Sequence, residues 1–314
     1  MTSVPWARPV LACSLAVVAL ALGACNRAGG PASVGGSRAS GGAPLQVVAA
    51  ENVWGSIALQ LAGTRARVAS IITNPNSDPH DYEPNARDAR TLADAQLVIV
   101  NGLGYDGWAS RLLRASPAAG RTVLDVSRAV GARSGSNPHL WYSPAVVHAV
   151  VDRIAAAYQR LDPAARGYFE GRRRAFQTGA LARYDELIRT IRADSAGTPV
   201  GYSESIFEPL GESLGLRLMT PPGFAKAVAE GTDVTAQDKR TVDAQASSGQ
   251  IKVWVFNRQN VTPDVQRVND IARAHGIPVV TVTETLSPAG ESFQAWQVAQ
   301  LERLLAALRR SGGS

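Results

Sequence analysis

From residue 45 onward, short apolar runs rich in Val, Ile and Leu alternate with longer stretches in which Ala, Leu and Arg recur at helical spacing. Short apolar runs closed by turn residues predict buried strands, and the longer stretches with period 3.6 predict helices. In the first half, strands are predicted at 46–50, 67–72, 97–101 and 121–126; in the second half, at 199–202, 216–219, 251–256 and 278–282. Between the two sets lie long helical patterns at 143–160 and 164–192, interrupted at Asp162-Pro163, where proline suits the first turn of a new helix. Regular strand–helix alternation predicts βα units and therefore an α/β fold with parallel sheets. The simplest assembly is two α/β lobes, 45–142 and 196–310, joined through a helical segment, 143–195, that contains a long linking helix. Such sheets bind ligands beyond the C-terminal ends of their strands, so the polar residues that follow each strand are the ones to inspect.

The first 44 residues have a different pattern. One basic residue, Arg8, precedes an apolar run over 10–22 that is short for a membrane span and ends in small residues, which predicts a secretory signal peptide over 1–24. The run closes on Leu22-Gly23-Ala24-Cys25, which resembles the bacterial lipobox and makes Cys25 the expected site of lipidation. Two or more acyl chains anchor a protein stably where one is marginal. Residues 25–44 are mostly Gly, Ser, Ala and Pro with little to bury, a composition that predicts a flexible linker. The expected location is extracytoplasmic, anchored to the outer face of the bacterial cytoplasmic membrane.

Composition narrows the function. With Cys13 and Cys25 as the only cysteines, the folded part has neither a disulfide nor a thiolate metal site, so metal chemistry must use imidazole and carboxylate. The net charge of +6 arises from 32 basic residues scattered among 26 acidic ones without a basic stripe, which speaks against a nucleic-acid partner. The strand at 67–72 runs into Asp78-Pro79-His80-Asp81-Tyr82-Glu83-Pro84, and the strand at 121–126 is followed by Asn137-Pro138-His139-Leu140-Trp141. In the second half, 199–202 leads to Ser203-Glu204-Ser205 and 278–282 to Thr283-Glu284-Thr285. Convergence of His80, His139, Glu204 and Glu284 between the lobes would give two neutral imidazoles and two carboxylates, a donor set suited to one divalent transition metal.

Other readings fit less well. Gly102-Leu103-Gly104-Tyr105-Asp106-Gly107 is a literal G-x-G-x-x-G with Asp125 downstream, but it does not follow the first strand, and Asp106 would set a negative charge beside a pyrophosphate. An exported metal-dependent hydrolase lacks an H-E-x-x-H motif, and four protein ligands tend to close the open position that a hydrolase needs. Gly201-Tyr202-Ser203-Glu204-Ser205 misses the last glycine of a nucleophile elbow. His148 and His275 lie on helical stretches and are read as structural; a metal-binding adhesin is the remaining alternative.

The Asp78–Pro84, Asn137–Trp141 and Ser203-Glu204-Ser205-Ile206-Phe207 segments resemble the motifs of the zinc/manganese-binding solute-binding proteins of ABC transporters, the TroA-like (cluster A-I) family. The resemblance runs from about residue 45 to residue 308. It implies two Rossmann-like lobes bridged by a rigid helix, no enzymatic activity, and a single metal ion as cargo handed to an ABC permease and its ATPase by a monomeric receptor. His80 and His139 would be the imidazole ligands of the first lobe, and Glu204 and Glu284 the carboxylates of the second. Zinc-favouring members often have a histidine where this chain has Glu204, and the last ligand is commonly Asp where this chain has Glu284. The harder, more anionic set points to Mn2+ ahead of Zn2+, with Fe2+ behind both.

Overall fold

A computed structural model describes residues 43–76 and 78–312. The expected signal peptide, Cys25 and the linker as far as residue 42 lie outside the described residues.

The first half is built as β1 (Leu45–Glu51), α1 (Asn52–Ala62), β2 (Ala66–Ile72), α2 (Ala86–Ala93), β3 (Leu97–Val100), α3 (Gly107–Ala115), β4 (Thr122–Asp125) and the short α4 (Val126–Ala129). The second half contains β5 (Pro199–Tyr202), α8 (Glu208–Ser213), β6 (Arg217–Leu218), α9 (Pro222–Ala229), α10 (Ala236–Ser247), β7 (Val253–Asn257), α11 (Pro263–Ala274), β8 (Val279–Val282) and α12 (Phe293–Gly312). Between them run α5 (Pro144–Leu161), α6 (Arg166–Ala175) and α7 (Ala182–Ser195). Each predicted strand is present, with ends shifted by at most two residues. The strands form two parallel sheets ordered β2-β1-β3-β4 and β6-β5-β7-β8, so the fold is α/β with one sheet in each half. In each sheet the central strands are the most apolar: β3, Leu-Val-Ile-Val, is buried throughout, as is β7.

The predicted helix over 164–192 is not continuous. It is divided by a π turn at Phe176–Ala180, closed by Leu181 N–H donating to the Phe176 carbonyl at 3.0 Å. The apolar positions explain the break. Phe169 and Phe176 are seven apart and share an α-helical face, but the next buried residue, Leu181, is five further on and would face away from the core in an unbroken helix. A wider π turn absorbs the extra residue and restores the face for Tyr184, Leu187 and Ile191. The last helix, α12, returns across the chain to pack on α7 and α1, where Ser56 Oγ accepts the Phe293 N–H at 2.9 Å.

Close packing beneath the second sheet is severe at Gly201 on β5. A Cβ there would stand 2.8 Å from both Ile251 Cδ1 and Trp254 Cε3, and Trp254 is fully buried with its indole N–H donated to Asn269. Gly201→Ala is therefore expected to destabilise the fold by about 1–3 kcal/mol, the usual cost of overpacking. A urea titration with an unchanged midpoint would show that this layer can relax.

Candidate metal centre

Local capping sets the first histidine. Beyond β2, the Asp78 side chain accepts the His80 N–H at 2.9 Å and caps the 3-10 turn Pro79–Asp81, which holds His80 at the mouth of the cleft between the two sheets. The second, His139, follows Asn137-Pro138 and precedes a buried turn, Leu140–Tyr142. Its ring is 1% exposed and lies edge-on to Trp141, with centroids 5.5 Å apart.

Asn137 determines which nitrogen of His139 is bare. Its amide nitrogen donates to the Ser205 carbonyl (2.6 Å) and to Glu208 (3.1 Å). Its oxygen therefore faces His139, accepting the backbone N–H at 3.0 Å and pairing with Nδ1 at 2.8 Å. Nδ1 must carry the proton in that bond, which leaves the Nε2 lone pair free to face the cleft.

The second half contributes Glu284 just past β8 and Glu204 just past β5, both almost fully buried. Nε2 of His80 lies 3.4 Å from Nε2 of His139, and Glu284 Oε1 lies 3.8 Å and 3.5 Å from those nitrogens. The three donor atoms lie within 4.8 Å of one another, the one such grouping among the described residues. Glu204 is not part of this trio. Its Oε2 accepts from Asn260 at 2.9 Å, and its buried Oε1 has no hydrogen-bond partner among the described residues. Of the four residues expected from the sequence, the structure thus gathers three and sets the fourth beside them.

The electrostatics single out a cation. Burial pushes the Glu204 carboxyl well up, and the charge of Glu284 adds to it. Burial likewise raises Asp78, again with Glu284 contributing. Burial alone would raise Glu284 too, but the neighbouring His139 and His80 rings and the hydrogen bond from Tyr105 outweigh it and hold this carboxyl below its ordinary value. Several carboxyl groups crowd bare imidazole nitrogens here, an arrangement that a divalent ion would neutralise. The cleft above it has a volume of about 770 Å³, and its wall includes Asp81, Glu208 and Glu230 against a single lysine, Lys226.

Three asparagines and a tyrosine in this site carry no ligand signature in sequence: Asn137, Asn257, Asn260 and Tyr105. Their only signals are positional: Asn137 lies two residues before His139, Asn257 ends β7, and Asn260 and Tyr105 lie in the turns after β7 and β3. The remaining histidines are occupied elsewhere, His148 with Asp185 (2.9 Å) and His275 with the Ile271 carbonyl (2.9 Å). Arg258 donates to Ser287 Oγ at 2.8 Å. In the glycine-rich turn, Asp106 occupies the N–H groups of Asn101 (2.5 Å) and Gly102 (3.0 Å). The donors that would cradle a pyrophosphate are thus already used by a carboxylate.

The zinc-uptake complex component A periplasmic family (ZnuA) matches residues 47–307. The chain belongs to the ZnuA family. Members of the ZnuA family are solute-binding components of metal ABC importers and not enzymes, in line with the resemblance in the sequence motifs. The iron-binding protein YfeA of Yersinia pestis is 27% identical over 256 residues, 77% of this chain and 70% of the relative. The manganese-binding lipoprotein MntA of Halalkalibacterium halodurans is 30% identical over 127 residues, 39% of this chain and 41% of MntA, so that match spans less than half of either protein. Among solved structures, a manganese-bound periplasmic metal-binding protein of Candidatus Liberibacter asiaticus superposes with a TM-score of 0.69 at 20% identity, covering 83% of this chain and 98% of that one. FpvC of Pseudomonas aeruginosa with Mn2+ gives 0.68 at 21%, covering 85% and 99%. At such identities these structures establish the ZnuA-like fold alone.

Proposed function

We propose that this ZnuA-family protein captures one divalent transition metal at His80, His139 and Glu284, with Glu204 as the fourth ligand, and delivers it to an ABC permease driven by its ATPase. The observation that carries this reading is the convergence of two imidazole Nε2 atoms and one carboxylate oxygen within 4.8 Å in a buried cleft. Glu204 supports it: a buried carboxylate oxygen without a donor beside that cluster is the complement of a cation. Imidazole and carboxylate together suit Mn2+, Zn2+ and Fe2+, the ions for which relatives are named. Lipidation at Cys25 would tether a monomeric receptor to the outer face of the cytoplasmic membrane, with residues to 44 as its leash. Relatives named as lipoproteins support that location.

Calorimetric titration of the metal-stripped protein tests the proposal. One site per chain is expected for Zn2+ and for Mn2+, and an isotherm with no saturable site would refute it. Asn137 gives a second test, because its side chain orients His139 without occupying a ligand position. Asn137→Ala should weaken binding about ten- to a hundredfold, the usual result of losing an outer hydrogen bond to a ligand histidine. Unchanged affinity would mean that His139 is oriented by packing against Trp141 alone.

A further inference from the structure

Tyr105 reaches across the cleft from the glycine-rich turn of the first half to the buried carboxylate of the second. Its hydroxyl donates to Glu284 Oε2 at 2.6 Å, while the other oxygen, Oε1, faces the two histidine nitrogens. Asn257 Nδ2 adds a bond to Oε1 at 3.2 Å. The Tyr105 ring is wedged among His80, His139 and Trp141, with centroid distances of 4.8, 5.9 and 5.0 Å. A phenol O–H facing a carboxylate oxygen at this distance is the donor in the bond.

The turn that aims Tyr105 is itself fixed. Gly102, Leu103 and Gly104 all have positive φ, of 83°, 56° and 85°. A conformation so unfavourable for leucine persists only where its surroundings impose it. The Asp106 carboxylate does so by binding the N–H groups of Asn101 and Gly102. Behind it lies Glu51, fully buried at the end of β1. Burial pushes the Glu51 carboxyl well up, and the Asp106 charge adds to this. The glycine-rich motif, which binds no dinucleotide, thus serves to place one hydroxyl.

We infer that Tyr105 is a specificity-determining residue: by occupying Oε2 it restricts Glu284 to one-oxygen coordination through Oε1, and so biases the site toward ions that accept four donors over ions that seek six. This deepens the metal-receptor reading and rests on it. With His80, His139 and Glu204, a single-oxygen Glu284 makes four donor atoms, the number that suits zinc, whereas a two-oxygen Glu284 would raise the count toward what manganese prefers. Tyr105 touches a ligand and not the ion, so its role is positioning.

The test uses Tyr105→Phe, which keeps the buried ring and removes only the hydroxyl. The stripped protein and the variant would be titrated with Zn2+ and Mn2+ in competition, and each loaded with Co2+ for visible absorption, which is intense for four-coordinate cobalt and weak for higher coordination. The variant is expected to raise the manganese-to-zinc preference about tenfold, within the range for outer-shell changes, and to weaken the cobalt band. A merely structural role would lower both affinities together and leave the cobalt band intact. A preference or a cobalt band that does not change would overturn the inference while leaving the receptor function standing. Failure of the unmodified protein to bind any of the three ions would overturn both.

Discussion

Replacing His139 by alanine will weaken divalent-metal binding more than a hundredfold and leave the secondary structure unchanged. The size of the effect follows from position. His139 is the most enclosed of the two imidazoles, its Nε2 is 3.4 Å from that of His80 and 3.5 Å from Glu284 Oε1, and its tautomer is fixed by Asn137. Its loss removes a donor atom outright, a larger change than the ten- to hundredfold produced when an outer hydrogen bond is lost. It also takes away the neighbour that does most to offset the burial of Glu284. His148→Ala is the matched control. That residue pairs with Asp185 on the surface between α5 and α7, and its replacement should not alter metal affinity. Equal affinities for the two variants, measured against a competing chelator, would remove His139 from the site.

Saturation with metal will raise the melting temperature by on the order of 10 °C. The proposed ligands lie far apart in the chain, with His80 and His139 separated by 59 residues and Glu284 another 145 beyond, so an unfolded chain cannot assemble them. An ion that binds only the folded state stabilises it by about 4 kcal/mol at a thousandfold excess over Kd. For a chain of this size each kcal/mol moves the midpoint by roughly 2–4 °C. The contribution should be large because the ion joins the two halves. Its ligands come from the ends of both sheets, which are already tied by Asn137 to the Ser205 carbonyl and by Tyr142 to the Thr283 carbonyl. Scanning calorimetry of the stripped and loaded forms measures it, and coincident melts would mean that no ion binds the folded protein tightly.

Much of this architecture was legible in the sequence because parallel strands buried on both faces must be apolar throughout. Runs such as Leu97–Val100 and Val253–Asn257 announce themselves. His80 and His139 were equally legible, since each follows a proline in the polar segment after a strand. The π turn was not, because it depends on the phase between Phe176 and Leu181 relative to a core contributed by distant segments. Nor was the offset of Glu204 from the other three donors, which is set by the bond from Asn260, 56 residues away. Tyr105 was the least legible of all: it sits in a motif whose familiar meaning is nucleotide binding, and only the contact with Glu284, 179 residues on, reveals what the turn holds in place.

One ion between His80, His139 and Glu284 would be seen by anomalous diffraction from metal-loaded crystals. With data collected at the absorption edge of zinc or manganese, a single strong peak per chain is expected, about 2.0–2.2 Å from both Nε2 atoms and from Glu284 Oε1 when zinc is bound. A peak elsewhere on the protein, or none at full loading, would contradict it.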